Sequence, residues 1–172
     1  MKIAIAGAGI GGLAAALCLQ DKGFDVQVFE AVSVLQPLGV GINVMPHAAG
    51  VLFGLGLGAA LDTIAIRTRA IEYRTRFGHL IQSDPRCVEA GFEYPQYSIH
   101  RGELQFLLLD EVRKRADEHA VQAGKSVVGF RQNERAVQVL FADGDTFDCD
   151  LLIGAEGFRS KVRQQLHPDE GP

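Results

Sequence analysis

A glycine-rich loop and one distant carboxylate are the residues of this sequence best suited to bind a charged ligand. The loop runs Gly7-Ala8-Gly9-Ile10-Gly11-Gly12, and Glu30 follows eighteen residues after Gly12. Glycines at this spacing let the backbone turn sharply and let a pyrophosphate approach it, and a carboxylate at this distance can accept hydrogen bonds from a ribose. The pattern therefore predicts a dinucleotide site.

The segments around the loop are those that such a site requires. Lys2 to Ala6 is a short apolar run, which predicts a buried strand. Apolar residues then recur at helical spacing until Lys22-Gly23, a normal helix stop. Phe24 to Phe29 predicts a second strand that Glu30 closes. A strand, a helix and a strand within about 30 residues imply a parallel pair with a right-handed crossover.

Three glycines of the loop have distinct expected parts in the site. Gly7 permits the turn, Gly9 leaves space for the pyrophosphate, and Gly12 lets the helix pack closely on the strand. The helix N-terminus offers free N–H groups and a positive dipole to the phosphates. A glycine-rich turn in an unrelated α/β protein stays open as an alternative. The motif by itself does not separate FAD from NAD. NADP is disfavoured, because its 2′-phosphate would face the Glu30 carboxylate.

The rest of the chain predicts a mixed α/β protein. The expected segments are a loop over Ala31 to Pro46, a helix from Pro46 to Leu55, a hairpin of Ile71 to Phe77 and Leu80 to Ser83, an irregular stretch over Cys87 to Tyr97, a helix over Gly102 to His119, a short strand over Ala120 to Ala123, a three-strand meander over Val127 to Cys149, a buried strand over Leu151 to Gly154 and a helix over Arg159 to Leu166.

Composition disfavours several classes of function. The net charge of −4 and the absence of a long basic run argue against nucleic acid. The longest apolar stretch, Val51 to Leu61, is far short of the ~20 residues of a membrane span. The five histidines form no metal spacing and no catalytic triad, so we expect no metal. The three separated cysteines, Cys18, Cys87 and Cys149, favour a cytoplasmic protein with reduced thiols.

Three further motifs resemble one enzyme family. They are Leu38-Gly39-Val40-Gly41-Ile42 followed by Pro46 and Leu55-Gly56-Leu57, His100-Arg101-Gly102-Glu103-Leu104-Gln105, and Asp150 to Arg163. In order and spacing they are similar to the class A FAD-dependent aromatic hydroxylases, the relatives of p-hydroxybenzoate and salicylate hydroxylases. The stretches Pro37 to Asn43 and Tyr94 to Gln105 look most like the phenazine-modifying hydroxylases of that family.

The resemblance implies a cofactor, FAD, and a role for each matching residue. Glu30 would lie at the adenosine ribose, and Val121 would offer backbone groups to the adenine. Gly41 and Ile42 would lie beside the flavin and ribityl chain. The predicted cofactor-binding residues are Gly7, Gly9, Gly11, Gly12, Glu30, Ala31, Gly41, Ile42, Arg101, Gln105, Val121 and Glu156.

Two of these residues have simpler alternatives. Arg101 would contact the phosphate or ribityl region, but it could also be a solvated arginine at a helix start. Glu156 stands in Glu156-Gly157 where the family has Asp-Gly. As an alternative to a cofactor contact, its role could be limited to capping the helix that follows, through the helix dipole.

The resemblance also implies a fold and its extent. We expect a Rossmann-like FAD-binding domain of the glutathione-reductase type, with a parallel sheet and a β-meander. Residues 1–172 would be its N-terminal portion, with a partial substrate-domain insertion around 63–99. The C-terminal part and most of the substrate domain would be missing, so this piece alone would be inactive.

The implied reaction is hydroxylation of a small aromatic substrate, with NADH or NADPH as the reductant. The flavin carries that chemistry, so no catalytic residue is assigned. Two alternative functions stay open. One is an NAD-dependent oxidoreductase, which shares the first strand–helix–strand unit. The other is a non-catalytic FAD-binding module.

Overall fold

The computed structural model describes residues 1–170; the predicted domain limit at Pro172 lies outside them. The helices are α1 (Ile10–Asp21), α2 (Pro46–Gly54), α3 (Gly58–Ile64), α4 (Arg101–Arg115) and α5 (Lys161–Leu166). The strands are β1 (Lys2–Ala6), β2 (Asp25–Glu30), β3 (Gly41–Val44), β4 (Ile66–Thr68), β5 (Ala70–Arg74), β6 (Leu80–Pro85), β7 (Gln96–His100), β8 (Val121–Ala123), β9 (Val127–Gln132), β10 (Val137–Phe141), β11 (Thr146–Cys149) and β12 (Leu151–Gly154). Short 3₁₀ turns occupy Cys87–Ala90, Glu118–Ala120 and Gly157–Arg159.

The chain forms two compact units, residues 38–104 and the remainder. The larger unit is built on a four-stranded sheet in the order β12-β1-β2-β8, and its strands all run parallel. The predicted parallel strand–helix–strand unit is therefore confirmed. Because carboxyl ends of parallel strands meet at one edge, the glycine loop after β1, Glu30 at the end of β2 and the turn after β12 lie at the same edge.

The two faces of this sheet are covered by different layers. Successive side chains of a strand point to opposite faces, so Ala4 and Ala6 share one face and Ile3 and Ile5 share the other. Ala4 and Ala6 pack with buried residues of the antiparallel sheet β11-β10-β9, which is the predicted meander. Phe29 closes this core, with its ring centroid 4.7 Å from that of Phe141. Helix α1 packs on β1 and β2.

The smaller unit contains a three-stranded sheet in the order β3-β7-β4 and the hairpin β5-β6. Its buried side chains come from the three-stranded sheet and from helices α2 and α3, and include Val44, Ala49, Leu52, Leu61, Tyr97 and Ile99. The predicted hairpin is present, although its turn is longer than Gly78-His79 and takes in residues 75–79.

Three predictions of local structure were wrong in this region and beside it. Residues 31–46 were expected to form a loop, yet 41–44 form β3, which pairs with β7. The irregular stretch 87–97 contains a 3₁₀ turn and the start of β7. Both strands are short and their partners are distant in sequence, so no alternation of apolar and polar residues in the local sequence predicts them. Helix α4 runs over Arg101–Arg115 and ends earlier than expected.

Among the helices of residues 1–170, none combines the length and apolar character that a bilayer crossing requires. The same residues contain no group of three or more His, Cys, Asp or Glu side chains that could hold a metal ion.

Candidate functional site

Two glycines of the loop are needed for contacts within the protein itself. Gly7 has φ +101°, and a Cβ there would lie 2.6 Å from the carbonyl oxygen of Ala155. A Cβ on Gly12 would lie 2.0 Å from the carbonyl oxygen of Gly7. Real Cβ atoms do not approach backbone so closely, so both positions require glycine. The predicted turn at Gly7 and the predicted close packing at Gly12 are both observed.

The other two glycines of the loop face open space. A Cβ on Gly9 or on Gly11 would meet no heavy atom within 4 Å. Their small size is therefore not explained by packing within residues 1–170, and it leaves room for a ligand beside the backbone. This division between closed and open glycines is what a pyrophosphate cradle requires.

Helix α1 begins in this open space. Gly9 is its N-cap, and within the described chain no side chain caps it and no acidic residue lies in its first turn. The first N–H groups of an α-helix have no partner within the helix and carry a partial positive charge. An anion that sits beside Gly9 would satisfy them.

Glu30 is tied to the glycine loop. Its Oε2 atom accepts a hydrogen bond of 2.8 Å from the backbone N–H of Ala8, and its Oε1 atom accepts one of 3.1 Å from the N–H of Val32. A carboxylate offers about four acceptor sites. Two of them are therefore left for donors such as ribose hydroxyl groups. The predicted ribose contact stays a prediction, and the structure adds a second role, which is to hold the loop.

Gln105 reaches the same loop residue from the other side. Its Nε2 atom donates a hydrogen bond of 2.7 Å to the carbonyl oxygen of Ala8. Ala8 is completely buried, so neither its N–H group nor its carbonyl oxygen is available to water. The sequence pattern assigned no role to Ala8. Its importance comes from backbone groups, which every residue type carries, so the residue type gave no signal.

The second fingerprint, Asp150 to Arg163, packs against the glycine loop. The N–H of Ala155 donates a hydrogen bond of 2.7 Å to the carbonyl oxygen of Ala6, and the Ala155 carbonyl lies against Gly7. Ala155 belongs to the motif, yet no function was predicted for it. Its place directly after an apolar strand was the available signal, because such positions meet at the carboxyl edge of a parallel sheet.

Glu156 serves as a helix cap in this structure. Its Oε2 atom accepts a hydrogen bond of 2.5 Å from the Ser160 hydroxyl, and its Oε1 atom accepts one of 2.9 Å from the N–H of Lys161. Ser160 in turn accepts a hydrogen bond from the N–H of Arg163. The capping alternative is thus seen as direct hydrogen bonds rather than as a dipole effect alone. A contact between Glu156 and the cofactor stays a prediction.

Two other predicted residues lie near the end of β2. Ala31 directly follows Glu30 and is exposed. Val121 is buried and starts β8, where it pairs with Val28, two residues before Glu30. The backbone contact of Val121 with an adenine, and the contact of Ala31 with the cofactor, both stay predictions.

The remaining predicted residues belong to residues 38–104. Gly41 and Ile42 begin β3, and Gly41 pairs with His100. Arg101 is exposed, and its backbone N–H donates a hydrogen bond of 3.1 Å to the Val40 carbonyl oxygen. A Cβ on Gly39 would lie 3.1 Å from Cβ and 3.3 Å from Cδ of Arg101, so the arginine stem lies against that glycine. Gly39, Gly41, Ile42 and Arg101 form one local cluster.

The donors and spaces around the glycine loop fit FAD. Open space beside Gly9 and Gly11, an uncapped helix start and a carboxylate with spare acceptor sites match a pyrophosphate joined to a ribose. Such a site would be held by Gly9, Gly11 and Glu30, with Gly7 and Gly12 shaping the loop. The geometry of the loop does not separate FAD from NAD.

Comparison with known proteins identifies the cofactor. The family model described as "FAD binding domain" matches residues 1–171. The chain is 45% identical over 174 residues to the phenazine 1,6-dicarboxylic acid hydroxylase PhzS of Lysobacter antibioticus, an alignment that covers 97% of this chain and 43% of that protein. It is 35% identical to a salicylate hydroxylase of Pseudomonas putida, with 99% of this chain and 39% of that protein covered.

Solved structures agree with this result. The structure of Klebsiella pneumoniae HpxO complexed with FAD and uric acid matches with a TM-score of 0.82 and 32% identity. That match covers 96% of this chain and 41% of the HpxO chain. The chain thus spans about two fifths of the length of the relatives it matches. Its glycine loop, its parallel sheet and its match over residues 1–171 together show that the chain belongs to the FAD-binding domain family, whose members named above include hydroxylases.

Proposed function

We propose that this chain is the FAD-binding part of a monooxygenase that hydroxylates a small aromatic substrate and uses NADH or NADPH as the reductant. The observation that carries the proposal is the contrast between the closed glycines, Gly7 and Gly12, and the open ones, Gly9 and Gly11. The family match over residues 1–171 supports FAD as the ligand of that open space. The names of the relatives support the reaction and the class of substrate.

The chain's own residues would bind and orient the cofactor. The N–H groups at the start of α1 would hold the pyrophosphate next to Gly9 and Gly11, and Glu30 would accept hydrogen bonds from the ribose. Arg101, Gly41 and Ile42 would hold the flavin half. The bound flavin would supply the electron transfer and the oxygen chemistry, which no amino-acid side chain provides. The protein's part is therefore positioning.

Two further predictions belong to this proposal. Residues 63–99 would be part of a substrate domain inserted into the FAD-binding domain. A cytoplasmic location is supported by Cys18, Cys87 and Cys149, all of which are free thiols.

The alternatives make different predictions about the preferred ligand. An NAD-dependent oxidoreductase would bind NADH more tightly than FAD. A non-catalytic FAD-binding module would also bind FAD. A protein containing such a module would not oxidise NADH faster when an aromatic substrate is added. The FAD-binding family match favours FAD over NAD, and the hydroxylase relatives favour an enzyme over a module.

The test is an equilibrium titration of this chain with FAD, followed by flavin fluorescence, with NADH and ADP as competitors. We expect FAD to bind, ADP to compete and NADH to compete weakly. Gly9→Val should weaken FAD binding while urea unfolding and the far-ultraviolet circular dichroism spectrum stay unchanged, because that side chain would enter the open space. Tighter binding of NADH than of FAD, or unchanged FAD binding by Gly9→Val, would contradict the proposal.

A further inference from the structure

The Ala8 residue is held through both of its peptide groups. Glu30 accepts a hydrogen bond from the Ala8 N–H, and Gln105 donates one to the Ala8 carbonyl oxygen, at 2.8 Å and 2.7 Å. Glu30 belongs to β2 and Gln105 to α4, so two distant segments act on one loop residue. Ala8 is fully buried, which makes both hydrogen bonds stronger determinants of its orientation than they would be in water.

These hydrogen bonds fix two successive peptide planes. In a trans peptide the C=O and the next N–H point in opposite directions, and residues 1–170 contain no cis peptide bond. The plane between Gly7 and Ala8 has its N–H on Glu30, and its carbonyl oxygen faces Gly12. The next plane has the Ala8 carbonyl on Gln105, so the Gly9 N–H points away from Gln105.

The Gly9 N–H is the first donor of the proposed pyrophosphate cradle. Among residues 1–170 it donates to no acceptor, in contrast to the N–H groups of Gly7 and Ala8, which are bonded to Phe29 and Glu30. The direction of this free donor is set by the peptide plane that Gln105 holds. Gly9 itself does not hold it, because glycine accepts both signs of φ and permits the plane to turn over.

We propose that Gln105 is a positioning residue that keeps the Gly9 N–H aimed at the phosphate site before any ligand binds. It acts through the Ala8 carbonyl and need not touch the cofactor itself. Without its donor, the peptide between Ala8 and Gly9 would turn over and present a carbonyl oxygen to the phosphates. The inference rests on the proposed function only for the identity of the ligand; the orientation of the peptide is a property of the chain alone.

Two substitutions of Gln105 separate the effect of the lost donor from that of charge. Gln105→Met removes the donor and adds no charge. Gln105→Glu replaces the donor by an acceptor, which repels the Ala8 carbonyl and attracts the Gly9 N–H. The matched control is Gln20→Ala, because Gln20 Nε2 also donates from a side chain to a backbone carbonyl, that of Val112 in α4, at 3.4 Å and away from the loop.

The first measurement needs no cofactor. Deuterium exchange of the Gly9 amide is followed by NMR in the glycine-labelled chain. We expect fast exchange in the wild type and in Gln20→Ala, and exchange slowed about tenfold in Gln105→Glu, where the N–H turns to a carboxylate. A generally destabilised protein would speed up exchange at many amides and would not slow it at Gly9.

The second measurement is the FAD titration with the same variants. We expect Gln105→Met to weaken FAD binding about tenfold, Gln105→Glu to weaken FAD binding more, and Gln20→Ala to leave FAD binding unchanged. The inference is overturned if Gly9 exchange and FAD affinity in both Gln105 variants match those of Gln20→Ala. If Gly9 exchange responds as expected but the wild-type chain binds no FAD, the positioning role stands and the proposed function fails.

Discussion

The carbonyl oxygen of Gly7 lies 2.0 Å from the position that a Cβ atom on Gly12 would occupy, so the loop and helix α1 meet with no room for a side chain. Gly11 is the neighbouring residue in the same helix, and a Cβ there would meet nothing within 4 Å. The two adjacent glycines therefore differ sharply in what they tolerate.

Alanine substitution should separate these two glycines. Gly12→Ala should lower the free energy of unfolding by about 1–3 kcal/mol, because the loop must move away from the added methyl group. Gly11→Ala should leave stability unchanged or raise it by up to about 1 kcal/mol, because alanine favours a helix. Urea unfolding of both variants measures this. Equal midpoints for the two variants would show that the close approach at Gly12 does not constrain the fold.

Gly39→Ala should displace the side chain of Arg101. Gly39 has φ +136°, and the arginine stem lies 3.1–3.5 Å from the position of its missing Cβ. The control is Gly78→Ala, because Gly78 also has a positive φ, +84°, but no neighbour within 4 Å. Both variants should lose about 1–2 kcal/mol of stability through backbone strain.

Only the Gly39 variant should also lower the affinity for FAD. If Arg101 contacts FAD as proposed, Gly39→Ala should weaken FAD binding about tenfold. This is the size expected for the loss of a charged hydrogen bond. Gly78→Ala should bind FAD as the wild type does. The flavin fluorescence titration compares the two. A similar loss of FAD affinity in both variants would point to strain alone and would remove the proposed link to Arg101.

The cap of helix α5 should behave as one coupled unit. Glu156 accepts hydrogen bonds from the Ser160 hydroxyl and the Lys161 N–H. Glu156→Ala and Ser160→Ala should each cost about 1 kcal/mol, and the double variant should cost less than the sum because the two side chains bond to each other. Glu156→Asp should fall between wild type and Glu156→Ala, since the shorter side chain cannot reach both donors. Additive losses in urea unfolding would contradict this coupling.

Asp62 should make stability depend on pH at the acidic end. Its carboxylate accepts two hydrogen bonds from Arg67 and one of 2.6 Å from the hydroxyl of the buried Tyr97. These bonds, those of Arg67 first, lower the pKa of Asp62 below its ordinary value of 3.8. Because the folded-state pKa is the lower one, the ionised carboxylate stabilises the fold fully above about pH 4. That stabilisation is lost as the pH falls through the lowered pKa.

The matching variant is Asp62→Asn. At pH 7 it should unfold more easily than the wild type by about 1 kcal/mol or less, because the ion pair with Arg67 is largely exposed to water. The difference should shrink as the pH falls below about 4 and through the lowered pKa of Asp62, because the wild-type carboxyl group loses its charge over that range. Thermal unfolding at a series of pH values checks this. A difference that does not change with pH would exclude the charge of Asp62 as its cause.

Local patterns were sufficient to predict much of the larger unit. The apolar run before Gly7, the helical spacing after it and the acid at Glu30 lie within one short segment, so their geometry follows from strand and helix periodicity. The same holds for the three strands of the meander. Residues 38–104 were predicted less well, because β3 pairs with β7, whose residues lie more than fifty positions later in the sequence.

The sequence by itself determined the type of site and the class of fold: the order of glycines and carboxylate, the parallel strand–helix–strand unit and the resemblance to FAD-dependent hydroxylases. Only the tertiary structure decided how the site is held. It brought Gln105 to the Ala8 carbonyl, Ala155 against Gly7, and Glu156 onto the start of α5. These contacts use backbone atoms, which look the same in every residue, and the first two join segments that lie far apart in the sequence, so packing alone could reveal them.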